Sequence, residues 1–346
     1  MRTIAVLNQK GGVGKTTTVV NVAAALAAAG RKVVAIDLDP QAHLTIHLGV
    51  EPQAIQTGAY EVLVQSADFA QSLMLVRPNL WLLAANINLV GAETELVSVV
   101  GREIILREAM QASQDQFDFC LIDCAPSLGL LSLNALVAAQ EVLIPLQPHF
   151  LALQGFGKLL QTVDLVNKRI NPNIKVTGVL LCMYDTRASL PNEVRADIER
   201  FLTNGRGSNS AWAQAKILPA FIRRNIKLAE APSYGKTIFE YDPACNGAED
   251  YRKVANFFLG VTEPACSASG SEAKARSEDS RGAEVAPEKP PEPAPPAAAP
   301  IEIVSVQLPV PRCYWPEPIW TEPAADKPAP AAAGPHSDAP AATTQP

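Results

Sequence analysis

Short, nearly unbroken apolar runs recur along the first 261 residues, at 4–7, 33–36, 117–123, 142–146 and 176–181. Runs of this length without polar alternation predict strands covered on both faces. Longer stretches between and after them carry apolar residues at helical spacing, and predict helices over 15–29, 128–140, 151–170, 190–202 and 249–259. Residues 57–112 read as short helices around a hairpin, 73–76 and 80–83, turned by Arg77-Pro78-Asn79. Strands alternating with helices over such a length predict an α/β fold: a doubly wound, mostly parallel sheet with helices on both faces.

The first run leads into Gln9-Lys10-Gly11-Gly12-Val13-Gly14-Lys15-Thr16-Thr17. Glycines let successive backbone N–H groups curl around an anion, and the helix opening on Lys15 adds its own N–H groups and positive dipole end. Lys15 is placed to neutralise the β- and γ-phosphates of a nucleotide and the Thr16 hydroxyl to ligate Mg²⁺, as in a P-loop NTPase. The pattern G-x-x-x-x-G-K-[ST] is not met, because Gln9 stands where its first glycine belongs and a second lysine, Lys10, precedes the glycines.

Two further strand ends carry carboxylates. The second run closes on Asp37-Leu38-Asp39-Pro40-Gln41, at the edge where open α/β sheets place their chemistry. Asp39 is suited to orienting an attacking water and Asp37 to supporting the Mg²⁺ shell, although either could instead cap the turn that follows. The third run closes on Asp123, the Walker B arrangement, in which a carboxylate holds Mg²⁺ through water beside Thr16.

Composition divides the chain. Of its 29 prolines, 18 lie beyond residue 261, and so does the whole net charge of −6, which leaves residues 1–261 formally neutral. A neutral body excludes a global basic field, so any nucleic-acid contact needs a local patch. The Pro/Ala-rich acidic segment 262–346 is expected to be disordered, apart from an apolar and aromatic island at 301–320 that reads either as a docking strand or as sticky disorder. The six cysteines form no C-x-x-C pair and read as core or incidental thiols of a reducing cytoplasm. With no apolar run of membrane-spanning length and no signal segment, a soluble cytoplasmic protein is expected.

The segments Lys10-Gly11-Gly12-Val13-Gly14-Lys15-Thr16-Thr17 and Asp37-Leu38-Asp39-Pro40-Gln41 resemble the deviant Walker A ATPases of the ParA/MinD family. Asp123-Cys124-Ala125-Pro126-Ser127 is similar to that family's D-x-P-P-S switch, with Ala125 in place of the first proline. The tract 220–236, with Ile222-Arg223-Arg224-Asn225 and Glu230-Ala231-Pro232-Ser233, resembles the Soj/ParA chromosome-partitioning branch, with Arg223 where that branch usually has proline. The resemblance spans about residues 1–261. It implies that ATP and Mg²⁺ are the cofactors, that Lys10 reaches across an ATP-dependent homodimer to the partner's nucleotide, and that Asp39 is needed for hydrolysis. It also implies non-specific nucleoid DNA binding through Arg187 and Arg224, stimulation by a ParB-like activator, and no stable membrane association. From Arg187 to Lys236 the chain carries nine Lys/Arg against four Asp/Glu, a local excess that suits phosphate contacts. A ParA-like ATPase positioning a protein cargo is the neighbouring alternative. A MinD-like membrane-cycling regulator would need a basic amphipathic C-terminal helix, where this chain reads Pro-Ala-Ala-Thr-Thr-Gln-Pro. A redox enzyme resembling the nitrogenase iron protein would need cysteines from two subunits around an iron–sulfur cluster, and Cys124, directly after Asp123, is in the wrong setting for such a ligand.

Overall fold

Alternation within each buried strand sorts the interior into two layers. In a computed structural model that describes residues 1–149 and 152–261, Ala5, Val34, Ile36, Cys120 and Ile122 face one core, while Ile4, Val6, Val33, Ala35 and Leu121 face the other. The expectations for the tail and its island lie outside the described residues.

In chain order the elements are β1 (Arg2–Val6), α1 (Lys15–Ala28), β2 (Val33–Leu38), α2 (His43–His47), α3 (Ala59–Val64), β3 (Met74–Arg77), β4 (Leu80–Leu83), α4 (Leu89–Glu95) and α5 (Ile105–Met110). There follow β5 (Phe119–Cys124), α6 (Leu130–Ala138), β6 (Glu141–Leu146), α7 (Ala152–Arg169), β7 (Lys175–Tyr184), α8 (Ser189–Asn204), β8 (Lys216–Ile217), β9 (Ile222–Arg223), α9 (Ile226–Glu230), α10 (Ile238–Tyr241) and α11 (Asn246–Leu259). The sheet order is β3-β4-β2-β5-β1-β6-β7-β8, with β9 continuing along β7, and every pair is parallel except the β3–β4 hairpin. One core is closed by residues of α3 to α8, the other by residues of α1, α2, α10 and α11. The mostly parallel doubly wound sheet is therefore the one expected.

β1 lies between β5 and β6, so the glycine turn that follows it emerges at the middle of the sheet's carboxyl edge. Register then sets the acidic residues beside it. Val6 pairs with Asp123 and Asp37 pairs with Asp123, which puts both aspartates at the same level on neighbouring strands.

Several boundaries differ from the sequence reading. The helix read from 128 starts at Leu130, leaving Leu128 and Gly129 to the switch loop. The last helix starts three residues before 249, at Asn246, and Gly247 in its first turn lies against Leu228, where a Cβ would come 2.8 Å from Leu228 Cγ. The run at 176–181 extends to Tyr184 with Met183 at φ 52°, and β9 pairs on either side of that kink. β8 and β9 went unread, since two residues carry no periodicity.

Polar side chains close the joints. The Asn171 amide donates to the carbonyls of Leu136, Val137 and Ala139 at 2.7–3.1 Å, satisfying the buried end of α6 before β6 begins. Asn171→Ala strands those carbonyls, and a loss of about 2 kcal/mol in urea unfolding is expected; an unchanged midpoint would show that water replaces the amide at no cost.

Candidate nucleotide-binding site

Turn geometry shapes the anion cradle. Gly12 and Gly14 adopt φ of +73° and +94°, conformations that L side chains rarely take, and nothing lies within 4 Å of a Cβ built on Gly12. Val13, 2% exposed, anchors the loop from below. No side chain caps α1, so the N–H groups of its first turn are left for a ligand. The helix itself is pinned: Asn21 donates to the Thr17 carbonyl and accepts from the Ile238 N–H at 2.8 Å each, and Thr18 meets the Tyr251 hydroxyl.

Beneath the cradle, Asp123 is fully buried and neither of its carboxylate oxygens has a hydrogen-bond partner. Burial, then the neighbouring Asp37 charge, pushes its pKa well above the ordinary carboxylate range; Thr16 and Lys15 pull the other way without closing a hydrogen bond. An orphaned buried carboxylate beside a hydroxyl and an ammonium is the donor set of a divalent cation completed by phosphate oxygens, so the residues fit Mg²⁺ with a nucleotide.

Asp37 has its oxygens occupied. Oδ1 accepts from the Asp39 N–H at 3.1 Å, and Oδ2 accepts from the Thr45 N–H and hydroxyl at 2.9 and 2.8 Å. Burial raises its pKa to about 6 against these bonds. Any support it lends a Mg²⁺ shell thus passes through the segment it holds. Asp39, 8% exposed, accepts from the Gln41 N–H and lines the same cleft as Lys15 and Thr16.

That cleft, about 790 Å³, runs from the glycine turn past Cys182 and Met183 to Ile222, Arg223, Arg224 and Ile226. Sequence reasoning missed this wall, which tertiary pairing assembles from β7, β9 and α9. Arg223 is its strut: Nε and Nη2 bond both oxygens of Asp250 at 2.7–3.1 Å, and its backbone N–H, which a proline would lack, donates to Oδ2 at 2.9 Å. His47 of α2 also lines the cleft; it is buried, with Nε2 unpartnered, and burial lowers its pKa to about 4, so the ring is neutral.

Of the cations counted between Arg187 and Lys236, Arg195, Arg200, Arg223 and Lys227 are committed to carboxylates. Arg187, in the turn after β7, and Arg224, on the cleft wall, are exposed and join no ion pair among the described residues. Lys10 is exposed and turns away from the cradle, its ammonium on Nε2 of His149 in the loop after β6. Gly49, just beyond α2, and Gly235, φ +60°, touch backbone to backbone; a Cβ on Gly235 would sit 2.7 Å from Gly49 Cα. Arg77 bonds the Leu48 and Gly235 carbonyls across this junction at 2.7 and 2.8 Å.

Cys120, Cys124 and Cys182 are buried free thiols; burial raises the pKa of all three, that of Cys182 to about 12. Among the described residues no group of three or more His, Cys, Asp or Glu is placed to hold a metal by itself, and no helix is long and apolar enough to cross a membrane.

A parallel sheet with a glycine cradle after its central strand and an unpartnered carboxylate on the next defines a P-loop nucleotide-hydrolysing enzyme. A family profile described as an AAA domain matches residues 1–176. The chain is 42% identical over 253 residues to the sporulation initiation inhibitor protein Soj of Bacillus subtilis, covering 73% of this chain and 96% of that one. It is 40% identical to the chromosome partitioning protein ParA of Myxococcus xanthus, over 72% of this chain and 85% of that one. A crystal structure of cobyrinic acid a,c-diamide synthase from Mycobacterium smegmatis, with bound ADP and magnesium, is 37% identical over 75% of this chain and 94% of that one, with a TM-score of 0.63. The chain belongs to the ParA/MinD family of P-loop ATPases, on its Soj/ParA side, and its cofactors are ATP and Mg²⁺.

The raised carboxyl groups set a pH dependence. Folded Asp37 and Asp123 hold their protons more tightly than the unfolded chain does, so their contribution to stability is greatest in acid and falls as pH rises from about 4 through the folded values. Asp123→Asn is therefore expected to raise the ligand-free melting temperature at neutral pH, with the gain shrinking toward about pH 4, and to lose most of the stabilisation by Mg-ATP. Calorimetry across pH checks both, and a variant less stable than its parent at neutral pH would contradict the burial argument.

Proposed function

We propose that this ATPase partitions DNA: it pairs on ATP, binds nucleoid DNA without sequence preference, and is released by hydrolysis that a ParB-like protein accelerates. The likeness to Soj and ParA, over 96% and 85% of their lengths, supports the destination. The observation that carries the mechanism is the exposed Lys10 beside a cradle already served by the buried Lys15.

In this reading the cradle N–H groups and Lys15 bind the β- and γ-phosphates, and Thr16 and Asp123 hold the cation. Mg²⁺ there supplies charge neutralisation on the transferring phosphoryl group. Asp39, fixed by Gln41 and by the Asp37–Thr45 network, orients the attacking water. Lys10 crosses to the partner's phosphates and acts there as an arginine finger does. Pairing joins two weak basic patches that include Arg187 and Arg224, and bivalency turns weak contacts into retention on DNA.

Lys15→Ala should weaken ATP binding about 10- to 100-fold in calorimetric titration, the worth of a charge-assisted phosphate contact. Asp39→Ala should keep ATP binding yet leave a dimer on DNA that does not turn over; wild-type hydrolysis in that variant would remove Asp39 from the mechanism. For DNA, Arg187→Glu with Arg224→Glu should flatten the slope of log affinity against log salt by about 3–4 in the dimer. A slope identical to the parent's would move the patch elsewhere.

A further inference from the structure

Lys10 has a resting place of its own. The turn that carries it is tied to β6: the Lys10 N–H donates to Asn8 Oδ1 at 3.0 Å, and the Asn8 amide donates to the Pro145 carbonyl at 2.7 Å. From there the side chain lies beside a cavity of about 310 Å³ lined by Gln9, Leu146, Gln147, His149 and Gly155, and its ammonium sits on His149 Nε2. No carboxylate takes part: among the described residues Lys10 joins no ion pair, although acidic side chains hold many of the chain's other cations. An ammonium can only donate, so Nε2 must be the unprotonated nitrogen of a neutral ring.

We infer that His149 is a positioning residue for Lys10: in the unpaired chain the neutral imidazole holds the crossing lysine against its own β6–α7 loop, and protonation of the ring releases it toward a partner. The inference rests on the ATP-driven pairing proposed above. Among the described residues Lys10 is the charged group that faces the ring. β6 carries its one charged residue, Glu141, at the opposite end, bonded to Arg2, and residues 152–157 of α7 are uncharged. Burial and the Lys10 charge hold the His149 pKa below its ordinary value, so the resting contact binds fewer protons than the released state. Acid therefore favours release, and neutral pH favours the resting contact. If that contact occupies Lys10 about nine-tenths of the time in each protomer, abolishing it tightens pairing about a hundredfold, tenfold for each of the two chains.

Two measurements on the full chain test this. The first needs no nucleotide: NMR titration of the His149 ring in the parent and in Lys10→Ala. The ring pKa is expected to rise in the variant, and an identical titration overturns the resting contact. The second follows Mg-ATP-driven pairing by analytical ultracentrifugation between about pH 6 and pH 8. The parent is expected to pair more tightly in acid, His149→Ala to pair tightly with little dependence on pH, and His149→Gln, which keeps an acceptor that cannot titrate, to pair weakly across the range. Loss of pairing in His149→Ala, or a pH profile like the parent's, overturns the inference. A parent that never pairs on ATP defeats the proposed function instead, and the NMR titration still decides where Lys10 rests.

Discussion

A carboxylate without a partner governs this structure. Asp123 lies beneath the glycine turn at the end of β5, which β1 and β2 flank, fully buried, with neither oxygen hydrogen-bonded and with Asp37 raising the cost of its charge. An ionised group in that position is strongly unfavourable unless a cation arrives, and removing it would help the empty fold. Its presence makes sense when ligand binding, rather than folding, is the event that completes the site. On the role proposed for Asp123, stability and activity draw on the same residue in opposite directions, as at many sites built for catalysis.

The surroundings are arranged so that this deficit stays local. α1 is fastened along its length by Asn21 and Thr18, which bind residues distant in sequence, so the cradle stands on a rigid helix. Asp37 is fully bonded and hands its order to Asp39 and Thr45. On the opposite wall Arg223 and Asp250 form a bidentate pair that fixes β9 to α11. The cation position and the phosphate cradle are left incomplete, and both suit a nucleotide with its cation.

Much of this was legible in the chain because the determinants are local. The glycine turn, the lysine and threonines after it, and aspartates ending apolar runs each signal themselves within a few residues, and the nearly unbroken apolar runs of β1, β2 and β5 made the strands plain. The features that escaped depend on contacts between distant segments. Nothing near Arg223 announces that Asp250 receives it, and nothing near Lys10 announces His149. The Asn171 amide closes a helix more than thirty residues away in sequence. β8 and β9 exist as strands only because β7 offers an edge to pair with. Asp37 shows the middle case: its place at a strand end was readable, while the Thr45 bonds that occupy it were not.

The contact of Gly49 with Gly235 leaves no room for a side chain on Gly235 and little on Gly49, and Arg77 rivets the two backbones together. On one side of that rivet lies the short helix that follows Asp39; on the other lies the tract that begins with the cleft-wall arginines. A joint this close has no slack. A displacement of one segment drags the other, as two bars do on a shared pin, so chemistry at the phosphate end and geometry at the far wall are mechanically a single coordinate.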